Sequence, residues 1–169
     1  MLIMGKLFYI MGKSASGKDT IYQRLLRNPE FSLERLVIYT TRPIRDGELD
    51  GREYHFVTEE DFQKLKAEGK IIEDRGYETV YGLWRYFTAD NMNLEEKSYL
   101  GIGTLESYEK LKAYYGEEKI RPIYIEVEDG ERLKRAIARE ETQEAPKYEE
   151  MCRRFLADAQ DFSEEKILP

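Results

Sequence analysis

Residues 7–20, Leu7-Phe8-Tyr9-Ile10-Met11-Gly12-Lys13-Ser14-Ala15-Ser16-Gly17-Lys18-Asp19-Thr20, carry the pattern on which the fold turns. Five apolar residues read as a buried strand, and a G-x-x-x-x-G-K string follows at Gly12 to Lys18. Lys18 to Asn28 then reads as a helix with Ile21, Leu25 and Leu26 on one face before Pro29 stops it. Glycines between a strand and a helix let the backbone close on an anion, because no side chain holds it off and the helix N-terminus presents free N–H groups. Gly12, Lys13, Ser14, Ala15, Ser16, Gly17, Lys18, Asp19 and Thr20 are therefore the candidate ATP-phosphate cradle. Lys18 is its mobile positive charge, reaching toward the β- and γ-phosphates. Asp19 stands where such a motif has Ser or Thr, and Thr20 follows it, so these two are the candidate Mg²⁺ ligands. A carboxylate repels bare phosphate, which makes nucleotide affinity at this loop dependent on the metal. The competing reading of the string is an ordinary glycine turn.

Outward from this loop, the pairing of a short apolar run with a helical pattern recurs, as in a parallel α/β sheet. Arg35 to Thr40 reads as a second strand, and Tyr99 to Gly103 as another, followed by a helix over Thr104 to Tyr115. Arg121 to Val127 is a further strand. Thr58, with Asp61 three residues on, caps a helix that Gly69 ends, and Ile71 to Tyr81 reads as one or two short strands. Two helices follow. Glu131 to Arg139 carries Arg135 and Arg139 one turn apart on one face, and the other repeats Tyr148, Met151, Cys152, Phe155, Leu156 and Ala159 as a core stripe. Glu140 to Pro146 is an acidic link between them, either solvated or part of a mobile lid.

The composition narrows the function classes. With 27 basic and 34 acidic residues among 169, the net charge is −7, which argues against a protein that lives on nucleic-acid phosphate. Cys152 is the only cysteine, so a disulfide framework or Cys-cluster metal site within the chain is excluded. The apolar opening, Met1 to Met11, is broken by Gly5 and Lys6 and is too short for a membrane span. The expectation is a soluble protein of a reducing compartment, cytoplasmic, without membrane or nucleic-acid partners. The single histidine, His55, reads as a surface or hydrogen-bonding residue, Cys152 as core, and Trp84 to Phe87 as packing for the insert more than as a base pocket.

One stretch breaks the strand and helix rhythm. Residues 40–56, Thr-Thr-Arg-Pro-Ile-Arg-Asp-Gly-Glu-Leu-Asp-Gly-Arg-Glu-Tyr-His-Phe, carry Arg42 and Arg45 three apart and Tyr54 beyond two glycines. Guanidinium forks and a phenol suit a phosphate dianion, and by chemistry alone a solvated loop fits them equally well. The stretch matches T-T-R-x-x-R-x-G-E-x-x-G-x-x-Y-x-F at every fixed position, and together with the glycine loop it resembles the guanylate kinase family. The resemblance continues through Phe62, Ile72-Glu73 and Tyr81-Gly82 to Arg135, Arg139 and Arg154.

That resemblance implies an α/β, three-layer P-loop kinase with a parallel core sheet (residues 1–35, 91–130 and 155–169), a small mixed acceptor-binding insert (36–90) and a helical lid (131–154). It implies that Arg42, Arg45, Tyr54 and Tyr81 hold the acceptor 5′-phosphate and that Glu73 hydrogen-bonds guanine. Lys18, Arg135, Arg139 and Arg154 would neutralise the phosphoryl group passing from ATP, with Mg²⁺, to GMP or dGMP. The alternative is a guanylate kinase-like module that binds a nucleotide or phosphorylated ligand without transfer. Departures gather around the base. Ile38 and Leu83 stand where the family has hydroxyl residues, and Gly101 and Gly103 where it has aspartates. The family pattern also has a last strand and closing helix beyond Pro169. Weaker or altered base selectivity is therefore expected.

Overall fold

The computed structural model describes residues 5–168, so Met1 to Met4 of the apolar opening lie outside the described residues. The chain begins with β1 (Leu7–Met11), α1 (Lys18–Arg27), β2 (Leu33–Arg35), β3 (Tyr39–Thr40) and β4 (His55–Phe56). It continues with α2 (Glu59–Ala67), β5 (Ile71–Thr79), β6 (Gly82–Ala89), β7 (Ser98–Ile102) and α3 (Leu105–Tyr115). It closes with β8 (Ile120–Tyr124), α4 (Asp129–Glu141), α5 (Tyr148–Asp161) and α6 (Glu164–Ile167). No helix among the described residues is long and apolar enough to cross a membrane.

The core sheet has the order β2-β7-β1-β8, with every neighbouring pair parallel. Alternation along β1 separates its two faces. Leu7, Tyr9 and Met11 join Tyr108 and Leu111 of α3 in one core, while Phe8 and Ile10 join Tyr22 and Leu25 of α1 in another. A strand buried on both faces reads as an unbroken apolar run, which is what residues 7–11 show. The result is the three-layer α/β arrangement expected. A second sheet, β4-β3-β6-β5, is antiparallel except where β3 meets β4. Phe62 of α2 and Phe87 of β6 pack edge to face beneath it, with ring centroids 5.0 Å apart. The α2 capping box forms as expected: Thr58 Oγ1 accepts from the Asp61 N–H at 3.1 Å, and an Asp61 carboxylate oxygen accepts from the Thr58 N–H at 2.9 Å.

Two expectations need correction. The run Arg35 to Thr40 is not one strand. After β2 the Leu36 N–H bonds to the Leu100 carbonyl at 2.9 Å, and the chain then leaves the core sheet to pair Tyr39 and Thr40 with Phe87 and Tyr86 of the second sheet. A continuous β-forming run carries no mark of where it changes sheets. The apolar stripe assigned to α5 is also misplaced. Met151, Phe155 and, just past the helix, Phe162 turn inward, whereas Cys152 is exposed, as are Tyr148, Leu156 and Ala159. Several apolar residues at helical spacing defined two possible faces, and the inward one is the face that also carries Asp158.

Candidate active site

The loop between β1 and α1 is built tightly. A Cβ on Gly12 would stand 2.8 Å from the Ile125 carbonyl oxygen, and Gly17 (φ 84°) and Ala15 (φ 60°) both adopt left-handed backbone. Such turns aim successive N–H groups inward. Ser16 is buried and its Oγ has no hydrogen-bond partner, while the first turn of α1 has no side-chain cap. A polar atom left open beside an uncapped helix N-terminus fits a phosphate group, although within the loop the Ser14 N–H already donates to Asp158 and the Ser16 N–H to the Lys13 carbonyl. For Mg²⁺, Asp19 and Thr20 are exposed on the first turn of α1 and offer a carboxylate and a hydroxyl. Among the described residues no cluster of three or more His, Cys, Asp or Glu side chains could hold a metal. This donor set suits Mg²⁺ arriving with nucleotide phosphates and retaining several waters.

Two residues that the motifs did not mark brace this loop. Arg132 of α4 is 1% exposed, donates from Nη1 to the Ser14 carbonyl at 2.9 Å and from Nη2 to Asp129 at 2.7 Å, and lies 4.6 Å over the Phe155 ring. Asp158 of α5 accepts from the Ser14 N–H at 2.8 Å, with its carboxylate 3.7 Å from the Arg132 guanidinium. The hydrogen bond from Arg132 holds the Asp129 carboxyl below its ordinary range. Of the expected lid arginines, Arg135 and Arg139 lie on α4 and Arg154 on α5. Arg135 pairs with Glu131 at 3.0 Å and Arg154 with Glu150 at 3.6 Å, each on its own helix, and Arg139 caps nothing with its side chain among the described residues. Glu140 is buried and accepts from the Lys147 N–H at 2.6 Å, tying the α4–α5 link shut.

At the insert, Arg42 is buried and forms a two-pronged pair with Glu48, Nη2 to Oε1 at 2.7 Å and Nη1 to Oε2 at 3.1 Å. The same Glu48 accepts from the Arg45 N–H at 2.8 Å. Those bonds, the Arg42 guanidinium foremost, hold the Glu48 carboxyl below its ordinary range. Tyr54 lies with its ring 5.5 Å from the Arg42 guanidinium, and its burial raises the phenol's pKa, so it remains a protonated donor at neutral pH. Glu48, a fixed position of the matched string, thus ties the Arg42 side chain to the Arg45 backbone, and Tyr54 packs against Arg42.

A cavity of about 450 Å³ opens beside them, walled by Tyr54, Tyr77, Trp84 and Tyr86 with Ile38 and Arg75, and floored by Ile102 and Gly103. The aromatic run therefore divides: Phe87 is packing, while Trp84 and Tyr86 line the cavity, against the expectation that the whole run packs. Tyr81 is not brought here. It sits at the tip of the β5–β6 hairpin, 81% exposed and stacked on Trp84 at 6.1 Å. Glu73 lies behind the wall, its side chain 2% exposed, accepting the Thr88 hydroxyl at 2.8 Å and facing Arg75 Nε at 3.4 Å. Leu83 is on the outer part of the hairpin, and His55 rests its ring 4.5 Å from that of Tyr39. The glycines at 101 and 103 have a structural cause. The ring of Tyr9 covers both: a Cβ on Gly101 would stand 2.6 Å from it, and one on Gly103 would collide with its hydroxyl.

A parallel sheet whose interior strand leads through a phosphate loop into a helix, with an arginine-bearing insert at the same edge, is the fold of the P-loop kinases. The chain belongs to the guanylate kinase family, whose model matches residues 4–165. It is 31% identical over 157 residues to a guanylate kinase of Wolbachia pipientis wMel, a match covering 92% of this chain and 75% of that protein. It is 40% identical over 101 residues to the guanylate kinase of Schizosaccharomyces pombe, covering 60% of this chain. The latter match spans 44% of the yeast protein's length, and that to a Vibrio parahaemolyticus guanylate kinase spans 45%. Among solved structures, guanylate kinase from Anaplasma phagocytophilum superposes with a TM-score of 0.58 at 22% identity, covering 95% of this chain and 74% of that one.

Proposed function

We propose that the protein transfers the γ-phosphoryl group of ATP to a nucleoside monophosphate, GMP or dGMP first, giving ADP and a nucleoside diphosphate. The observation that carries this reading is that the phosphate loop and the floor of the candidate acceptor cavity lie at the carboxyl ends of two adjacent strands of the core sheet, β1 and β7. Gly103, on the floor of the acceptor cavity, donates its N–H to the Ile10 carbonyl at 3.1 Å, one residue before β1 ends and the phosphate loop begins. Ligands of open α/β sheets bind at the carboxyl ends of the strands.

In this reading the loop N–H groups and Lys18 hold the donor phosphates, and Arg45 and Tyr54 orient the acceptor phosphate, with Arg42 held in place by Glu48. Magnesium held through Asp19 and Thr20 would neutralise charge on the donor phosphates. Transfer between two phosphates needs positioning and charge neutralisation more than a strong base, so a histidine is not required. Arg135 and Arg154 would reach the transferred group by exchanging their glutamate partners for it, and Arg139, whose side chain pairs with no carboxylate among the described residues, would have none to exchange. A second reading, binding without transfer, draws on Asp158, whose carboxylate already occupies the Ser14 N–H.

A panel of nucleoside monophosphates with ATP and Mg²⁺ distinguishes the two. The expected result is ADP formation that requires both a monophosphate and Mg²⁺; monophosphate binding without ADP formation would establish the second reading. Acceptor and donor sites are separable by a further variant. Arg45→Ala is expected to weaken monophosphate binding by about ten- to a hundredfold, the scale of a charged hydrogen bond, with ATP binding unchanged. Arg42→Ala should do the same while also leaving Glu48 without its partner, so its loss should be the larger. Equal losses for both nucleotides in isothermal titration would move these arginines out of the acceptor site.

A further inference from the structure

Among the residues that line the acceptor cavity, Arg75 alone carries a permanent charge. Glu73, the carboxylate expected to read guanine, has its oxygens engaged by Thr88 and turned to Arg75, and its side chain is nearly wholly buried. Arg75 is placed differently. Its Nε is buried at 3.4 Å from Glu73 without forming a hydrogen bond, the side chain is 30% exposed, and its guanidinium makes no hydrogen bond among the described residues. The wall thus presents unused donors where a carboxylate acceptor was expected. Ile38 adds only apolar surface, and Tyr9 fills the space in which a carboxylate at 101 or 103 would stand.

We propose that Arg75, and not Glu73, reads the acceptor base, through the O6 and N7 acceptors of a 6-oxopurine. This rests on the cavity being the monophosphate site. A guanidinium offers donors only, and its two-pronged fit to O6 and N7 is the commonest specific contact of arginine with guanine. Adenine sets its N6 amino donors against the same fork and leaves them unpaired, which a desolvated site penalises. Hypoxanthine presents the same O6 and N7 edge as guanine. The 2-amino group that separates the two bases meets no carboxylate in the cavity wall. Tyr77, Trp84 and Tyr86 supply ring surface for stacking. The site is therefore a 6-oxopurine site, open to IMP as well as GMP.

Trp84 is the only tryptophan of the chain and part of the cavity wall, so its fluorescence reports occupancy without turnover. Titration of the whole protein with GMP, IMP and AMP is expected to give GMP and IMP affinities within about tenfold of one another, and AMP weaker by about tenfold or more. Arg75→Met should bring AMP to within about threefold of GMP, and Arg75→Lys, which keeps the charge and loses the fork, should fall between. A GMP preference over IMP above about a hundredfold in the unmodified protein would overturn the proposal, since it requires an acceptor for the 2-amino group. So would an unchanged GMP to AMP ratio in Arg75→Met. Failure of every monophosphate to alter the signal or to support ADP formation would overturn the acceptor reading itself. The expected selectivity without ADP formation would uphold Arg75 and discard only the transfer.

Discussion

Lys18→Ala is expected to lower the rate of ADP formation by at least about a hundredfold, the scale on which removal of one preorganised transition-state charge acts. Lys18 opens α1 directly behind the phosphate loop, its side chain 22% exposed, and its nearest carboxylate is Asp19 at 4.0 Å. At that distance, and beside an exposed partner, the ammonium group is not committed to an ion pair. In the proposed transfer it would follow the γ-phosphoryl group as charge develops on it. The side chain takes no part in the apolar cores, so the variant should unfold at the same denaturant concentration as the parent. GMP binding, followed by Trp84 fluorescence, should be unchanged. A loss smaller than about tenfold in initial rate would remove Lys18 from the catalytic machinery.

Arg132→Ala should have the largest effect on stability, about 2–4 kcal/mol, because it removes a buried guanidinium together with its bond to the Ser14 carbonyl and its packing on Phe155. It leaves the mostly buried Asp158 carboxylate without its cation, while Asp129, 56% exposed, is resolvated. Arg132 is the largest fully buried side chain among the described residues, and it serves the Ser14 carbonyl, Asp129 and Asp158 at once. Without it the Asp158 carboxylate keeps the Ser14 N–H but loses its neighbouring positive charge, and the Phe155 ring loses the guanidinium stacked on it. At about 2–4 °C per kcal/mol for a chain of this size, the melting temperature should fall by roughly 10 °C. Urea denaturation followed by circular dichroism measures the difference directly. A change below about 1 kcal/mol would mean that the brace between α4, α5 and the phosphate loop contributes little net stability.

The brace also illustrates why part of the site escaped sequence reading. Arg132 and Ser14 are 118 residues apart and Asp158 and Ser14 are 144 apart, and neither acidic nor basic residue belongs to a spaced motif. An arginine in an amphipathic helix reads as solvated, yet Arg132 is buried and turned onto the phosphate loop, where it donates to the Ser14 carbonyl. A signal was present in retrospect: Asp158 shares a helical face with Met151 and Phe155, which a two-faced apolar pattern obscured. Glu48 was more accessible, since it is a fixed position of the matched string, but a string states identity and not partnership. Tyr81 and Glu73 show the converse. Both match their motif positions, and the hairpin geometry, with Thr79 paired to Gly82 and Thr88 bonded to Glu73, carries one into solvent and the other behind the cavity wall.

Local features of this chain were determined by the sequence alone because the interactions that create them span few residues. The buried strand at 7–11, the glycine-built anion loop leading into α1, the capping box at Thr58 and the turn-rich arginine insert all follow from backbone sterics and side-chain periodicity over a turn or two. Together they define a three-layer α/β kinase fold and its candidate phosphate sites. Tertiary structure alone decided which charges stay free. Among the described residues the Arg42 side chain is paired with Glu48 and that of Arg45 pairs with no carboxylate, Glu73 is bonded to Thr88 while Arg75 faces it without a hydrogen bond, and the phosphate loop is braced by Arg132 and Asp158. The availability of an ionic group depends on what packs against it from distant segments, and desolvation makes each such pairing exclusive. Spacing along the chain holds no record of that.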